Sequence, residues 1–430
     1  MPNPLSALIN TVAPARLGRG FRWLLSAAIA NNIGDGFMVA AGPLLMASQT
    51  RDPLLVSLAA LSSYLPKLLL GSIAGVLVDR LDRRRIIMAM DVSRGIVLAT
   101  LAVTIATGTI NVAIVLAVLL LLSTAEVFAN LAAGSILPGL VARVDLGIAN
   151  ARFQGSYLLA GQLLAPPIGA FLFAVGMALP FSVNAVTACM GAVLISRVVI
   201  RRAAEAGADA GDTQPERSTL RADFIEGVRW LAGHPPMRTL ALTIFAFNVT
   251  FGAAWSVLVL YAGQRLGMDA VGFGFLATAM AAGGLIGVTS YGWLERHFAL
   301  ADIMRVGLAI ETATHLVLAL TTLPIVALGV MVVFGAHAFV WGTTSTAVRQ
   351  RAVPDALLGR VAGVYVAGGV GGMVVGTPIG GALASGFSIT APMWFGFIGS
   401  AVLLAILWRQ FGNIVHAGDT TTHSAAADSN

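Results

Sequence analysis

Charge is scarce in this chain of 430 residues. Asp, Glu, Lys and Arg make up 11% of it, against roughly 25% in an ordinary soluble domain. Cysteine is scarcer still: the single Cys189 sits inside an apolar run. One cysteine excludes an intrachain disulfide and any cysteine-built metal site, and this one reads as a buried, inert thiol. No Walker phosphate loop, HExxH pair, paired cysteines or Ser/His/Asp arrangement stands out. The sequence therefore offers no ATPase and no visible catalytic constellation, so no enzyme is expected, and it calls for no cofactor and no metal. The stretch "AGGVGGMVVGTPIGG" lacks the strand context of a dinucleotide loop. It reads instead as close packing and bending at an interface between two halves of the chain. The N-terminal "MPNPLSALINTVAPARLGRG" has no basic region followed by a long apolar core, so no cleavable signal peptide is expected. The formal charge of +6 is spread over arginines at the ends of apolar runs, with no patch that interleaves them with aromatics. That distribution excludes a nucleic-acid surface.

What is abundant is apolar surface, at 57% of residues. Such a composition is that of a chain facing lipid and other apolar helices, since a soluble fold would expose large apolar patches. A membrane-spanning helix needs roughly 20 apolar residues. Twelve runs qualify, near 21–46, 54–79, 86–107, 110–134, 151–176, 178–200, 238–263, 271–293, 302–321, 324–347, 360–384 and 390–411. The fold class expected is an all-α membrane protein of twelve transmembrane helices.

The arginines set an orientation. With the N-terminus cytoplasmic, Arg51 and Arg265 alone fall outside and Lys67 falls within a span, while every other basic residue lies inside. Both termini are then cytoplasmic. The longest polar interruption, 201–237, contains "AAEAGADAGDTQPERS" and reads as a cytoplasmic linker. It divides a six-helix bundle at 1–200 from a second at 238–411. Late in the linker Phe224, Val228 and Leu231 recur at helical spacing, which predicts a short amphipathic helix at the inner surface. The polar tail 412–430 reads as disordered. The halves also match: "GSIAGVLVDRLDRR" (71–84) aligns with "GLIGVTSYGWLERH" (284–297), and "ARFQGSYLLAG" (151–161) with "GRVAGVYVAGG" (359–369). Two six-helix pseudo-repeats in parallel are an arrangement of alternating-access transporters, with a substrate site near the midplane.

Charges inside spans are costly and mark function or fixed pairs. Asp35 falls near mid-depth of the first span. Lys67 lies twelve positions before Asp79, hence roughly 18 Å in from the inner surface. Asp35 binds a coupling proton or a cationic substrate, with Lys67 tuning it, or the two form a static pair between helices. Glu311 and His315, four residues apart in the ninth span, share a face and read as a neutral or hydrogen-bonded packing pair, with a proton relay the alternative.

These residues resemble the major facilitator superfamily, and within it bacterial twelve-helix drug:proton antiporters of the macrolide-efflux and enterobactin-exporter type. The loop between the second and third spans carries the superfamily's motif as Gly75, Asp79, Arg80, Asp82, Arg83 and Arg84, with Asp82 where the motif has a second glycine. "NNIGDGFMVAAGPLL" is similar to the family's first helix. The fifth-helix antiporter motif is present in part as Gly161, Pro166 and Gly169, with Ala165 and Ala170 replacing two of its glycines. The resemblance implies the major facilitator fold and a bacterial inner-membrane location. It implies that Asp79, Arg83 and Asp91 form a cytoplasmic latch with Arg360 nearby; the alternative is that these charges only set topology. It implies a cavity lined by the first, fourth, seventh and tenth helices. Glu126 and His337 then become further proton or cation candidates beside Asp35 and Lys67, and Asn31, Phe37, Met38, Asn248, Trp255 and Trp341 candidate cavity residues. The function implied is proton-coupled export of drug-like or amphipathic small molecules by a monomer in the lipid bilayer. Export of a native metabolite such as a siderophore is one alternative, and a channel-like or lipid-scrambling bundle is another.

Overall fold

A run of about 20 apolar residues in lipid must satisfy its own backbone hydrogen bonds, and the α-helix does so within one segment. The computed structural model describes residues 14–199 and 220–415, and among them every regular element is helical. Ten helices are long and apolar enough to cross a membrane, and two shorter apolar helices, Leu179–Ile195 and Ala391–Leu407, fall at the sixth and twelfth predicted spans. The helices are α1 (Gly18–Gln49), α2 (Pro53–Arg80), α3 (Arg83–Ala106), α4 (Val112–Ile136), α5 (146–175), α6 (Leu179–Ile195), α7 (Leu220–Gly233), α8 (Pro235–Ser256), α9 (Ala270–His297), α10 (Leu300–Leu320), α11 (Pro324–Ala352), α12 (Leu358–Gly386) and α13 (Ala391–Leu407). Short helical turns follow α8 at Leu258–Gln264 and α13 at Gln410–Val415.

Local chemistry explains several boundaries. The Asn111 side chain accepts from the Ile114 N–H at the start of α4, and prolines open α6, α8, α11 and α13, where a missing N–H costs nothing. Helix α5 is not uniform: Leu146–Ser156 and Ala165–Val175 flank a π-helical stretch, Tyr157–Leu164.

The chain divides into two units. The first holds the described residues of Met1–Thr50, Leu65–Glu216 and Ala270–Thr278, and the second Arg51–Tyr64, the described residues of Arg217–Asp269 and Ala279–Asn430. In the first, Phe21, Leu24, Leu25, Ile86, Ile87, Ile136 and Ile195 form a buried core around the arginine-bearing helix ends. In the second, Met237, Leu240, Met304, Leu308, Trp341 and Val348 do the same.

Three expectations change. Cys189 is exposed on α6, not buried; in a membrane helix an apolar run supplies the outer face as readily as the core. The glycine-rich stretch of α12, expected at an interface between halves, packs on α8 of its own unit: side chains at Gly372, Gly376 and Gly380 would strike the α8 carbonyls of Phe245, Val249 and Ala253. Packing continues past residue 412, because Phe411 and Ile414 of Gln410–Val415 are buried. Residues 416–430 of the predicted tail and 201–219 of the predicted linker lie outside the described residues. Within α7, Phe224 and Val228 are exposed while Leu231 is buried.

Candidate functional site

Two helices of the first unit build a polar cluster at depth. Helix α1 carries Asn31 and Asp35 one turn apart, and α3 carries Asp91 and Arg94, also one turn apart. Such spacing places each pair on one face. The Arg94 guanidinium, 5% exposed, donates to Asp35 through Nη2 and stands 3.7 Å from Asp91 through Nη1. Asn31 Nδ2 lies 3.1 Å from each oxygen of Asp91, whose side chain is entirely inaccessible. The two acids thus differ. Asp91 is locked between an amide and a guanidinium, whereas the Asp35 side chain remains 38% accessible.

A second pair joins them. Lys67 Nζ on α2 donates to Glu126 Oε1 on α4 at 3.3 Å, and Asn130 Nδ2 donates to the same oxygen at 3.4 Å. The charges of both Lys67 and Glu126 reach Asp35. Tyr157, on the π-helical stretch, lies within electrostatic range of all three and accepts from Gln162 Nε2 at 2.9 Å. Three carboxylates, Asp35, Asp91 and Glu126, therefore share two cations, Arg94 and Lys67. Fully ionised, the cluster holds one uncompensated negative charge. One proton or one monovalent cation neutralises it.

The partial motif of α5 seats the segment that bears Asp35. A side chain at Gly36 would collide with the Gly161 carbonyl and the Ala165 methyl, and one at Gly169 would stand 2.6 Å from Phe37 Cα. Backbone-to-backbone contact of this kind is what small residues permit between membrane helices. Pro166 follows at the start of Ala165–Val175, and Asn32 Nδ2 donates to Ser156 Oγ at 3.0 Å.

The loop between α2 and α3 serves its own bundle. The Asp82 carboxylate caps α3 by accepting from the N–H groups of Arg84 and Arg85 at 3.0 and 3.2 Å. Its φ of −64° shows why no glycine is needed there. Arg83 Nη1 donates to the Ser135 carbonyl at 3.1 Å and Arg84 Nη2 donates to the Ser196 carbonyl. Both carbonyls end helices, α4 and α6, where cations are favoured. Arg80 is exposed, open space adjoins Gly75, and the side chain of Asp79 lies outside the described residues. Asp91, expected in a latch with Arg83, instead belongs to the Asn31–Arg94 cluster, about 12 Å further along α3. Arg360 of α12 holds Asp223 at 2.6 Å and Glu226 at 3.0 Å, both on α7.

The remaining candidates are dispersed. Phe37 and Trp341 are 4% exposed and pack as core. Asn248 Nδ2 donates to the Ile244 carbonyl of its own helix. Trp255 stacks 4.8 Å from Phe251, and Met38 is partly buried. His337 lies beside Glu311 at 3.5 Å. The expected Asp35–Lys67 pair is replaced by Asp35–Arg94 and Lys67–Glu126. Arg94, Tyr157 and Gln162 were missed. Arg94 is detectable as a basic residue i+3 from an acid well inside a span; nothing in the sequence marks the π-helical register that brings Tyr157 into range. No group of His, Cys, Asp and Glu among the described residues is arranged to hold a metal ion.

The pattern of the transmembrane secretion effectors, a major facilitator family, matches residues 9–425. The chain belongs to that family. The chain is therefore a multi-pass membrane transporter. It is 29% identical over 370 residues to the multidrug efflux pump Tap of Mycolicibacterium fortuitum, covering 82% of this chain and 87% of Tap. It is 28% identical over 372 residues to the enterobactin exporter EntS of Escherichia coli O1:K1, covering 81% and 83%. A bacterial homologue of the iron transporter ferroportin superposes with a TM-score of 0.73 over 91% of this chain and 98% of that one. At 16% identity that likeness shows the fold alone: the twelve-helix major facilitator fold.

Proposed function

We propose that this secretion effector is a proton-coupled exporter of amphipathic small molecules, working by alternating access, and that Asp35 carries the coupling proton. The observation behind the proposal is the odd charge of the first-unit cluster: three carboxylates against two cations, with Asp35 the accessible partner of a buried arginine. A buried net charge is costly, so the cluster favours one bound proton or one cationic substrate group. Binding either one displaces the need for the other, which is the logic of exchange. One proton falling through 100 mV releases about 2.3 kcal/mol. At 1.4 kcal/mol per decade this sustains roughly a 50-fold gradient of a neutral solute.

The relatives support export as the direction, since Tap is named as a multidrug efflux pump and EntS as an enterobactin exporter. The arginine distribution supports a bacterial inner-membrane protein with both termini cytoplasmic. In proteoliposomes loaded with a fluorescent cationic dye, a pH gradient should drive saturable dye movement, and dye should in turn drive proton movement. Asp35→Asn should abolish both couplings while the purified protein elutes as a single folded species. Dye flux in Asp35→Asn that still follows the pH gradient would remove Asp35 from the mechanism. Dye flux that never saturates and moves no protons in the parent protein would favour a channel-like bundle.

A further inference from the structure

The second unit contains a buried ionisable cluster that the proposed coupling does not use. Glu311 and His315 lie one turn apart on α10, and His337 lies on α11. Glu311 Oε2 is 3.5 Å from His337 Nε2, and Glu311 Oε1 is 3.5 Å from His315 Nδ1. The Glu311 side chain is inaccessible, and the histidine side chains are exposed by 3% and 1%. The walls are apolar. The ring of His337 meets Phe247, Phe334 and Trp341 edge-on at centroid separations of 6.2, 5.8 and 6.4 Å. The His315 ring lies on Gly396, where any side chain would overlap it.

Among the described residues, no Lys or Arg side chain forms an ion pair with this carboxylate. Helix α13 contributes no titratable residue. On α10 the nearest charge is Arg305, about 9 Å away along the axis, where it is held by Asp302 and the Trp408 carbonyl. On α11, Arg349 lies over the Tyr365 ring and Arg351 pairs with Glu295 of α9. The other titratable groups of α9 are Tyr291, Arg296 and His297. All three stand near its far end, where Arg296 and His297 bond to backbone carbonyls of their own helix. Arg238 of α8 donates to the Ala232 carbonyl. Beyond His315, the Tyr261 hydroxyl donates to the Leu318 carbonyl and Arg265 to the carbonyls of Leu320 and Thr321. Among the described residues, the two histidines are the only basic side chains within 4 Å of Glu311.

The tautomers define where that proton goes. His315 Nδ1 stands 3.0 Å from the Glu311 backbone carbonyl. A carbonyl only accepts, so Nδ1 carries hydrogen and Nε2 is the bare nitrogen. No hydrogen bond engages His315 Nε2, either nitrogen of His337 or either carboxylate oxygen of Glu311. Buried polar atoms left without partners at this density are unusual in a purely structural cluster. We propose that Glu311, His315 and His337 form a second proton-binding site, in the second unit, with one proton shared between the Glu311 carboxylate and His337 Nε2. Among the described residues, the site's ion pairs include none with Asp35. Its three groups are neutral with one proton bound and carry a net negative charge without it.

Trp341 provides a probe, because imidazolium quenches indole fluorescence more strongly than neutral imidazole does. In purified protein in lipid nanodiscs, the parent should show a fluorescence transition between pH 5 and 9 that Trp341→Phe removes. His337→Gln should abolish the transition. Glu311→Gln should shift the midpoint of the transition, because the carboxylate that faces His337 Nε2 is gone. Asp35→Asn should leave the midpoint unchanged, so the failure of this site and of the coupling reading are separate results. Histidine-selective nitrogen NMR reads the same titration directly in any variant that folds with altered fluorescence. Absence of a Trp341-dependent transition in the parent with no histidine titrating by NMR in that range, or an unshifted midpoint in Glu311→Gln, overturns the proposal.

Discussion

Replacing Arg94 by Gln tests the geometry of the first-unit cluster most directly. Arg94 is 5% exposed and faces two acids, one of which, Asp91, is wholly buried. Its removal leaves Asp91 with the Asn31 amide as its remaining partner. Breaking one side of a buried ion pair costs about 3–5 kcal/mol, because an uncompensated charge stays behind. Asp35 adds little to this figure, since its 38% accessible side chain can be hydrated or protonated. For a folding unit of 150–250 residues, each kcal/mol corresponds to about 2–4 °C in Tm. Arg94→Gln should therefore lower the melting temperature by about 6–20 °C. The double variant Asp91→Asn/Arg94→Gln removes the stranded charge together with its partner. A coupling of about 1–3 kcal/mol is expected between them, so the double variant should melt above Arg94→Gln. Thermal melts of the solubilised protein, followed by fluorescence-detected size exclusion at one heating rate, supply the readout. If Arg94→Gln melts within 2 °C of the parent, or the double variant melts no higher than the single one, Arg94 is not the buried counter-charge described above.

Two further outcomes are expected. A single cysteine introduced between residues 201 and 219 in a Cys189→Ala background should be protected from an impermeant maleimide in intact cells and labelled after permeabilisation; labelling of intact cells would reverse the assigned orientation. Arg360→Ala removes the guanidinium that holds both Asp223 and Glu226 of α7, so hydrogen exchange across Leu220–Gly233 should accelerate by tenfold or more while α12 stays protected, and unchanged exchange would show that Arg360 does not fasten α7.

Much of the architecture was legible because a span announces itself by length and hydropathy. The run predicted at 21–46 is observed as Gly18–Gln49, and the one at 360–384 as Leu358–Gly386. The charges were legible as individuals but not as partners. Asp35, Lys67, Glu126 and Arg94 all stand in plain view, yet pairing depends on how four helices are rotated about their axes, and mean hydropathy carries no rotation. Arg94 was read with the topology-setting arginines because it follows closely on Arg83, Arg84 and Arg85; its position one turn beyond Asp91 was the overlooked signal. Glu311 reads from the sequence first as the packing partner of His315, and only the facing of α11 brings His337 to it. Tyr157 was hidden for a different reason. The π-helical stretch changes the angular step per residue, so a period of 3.6 misassigns its faces.

The Asp82 corner has a mechanical consequence. A glycine there would leave a pliable joint between α2 and α3. An acid that ties off the first turn of α3, next to two arginines that grip the ends of α4 and α6, makes a stiff bracket instead. Four helix termini are thereby fastened at one corner. Any bending that α2 undergoes in a transport cycle must arise elsewhere along its length, at a place such as Pro66.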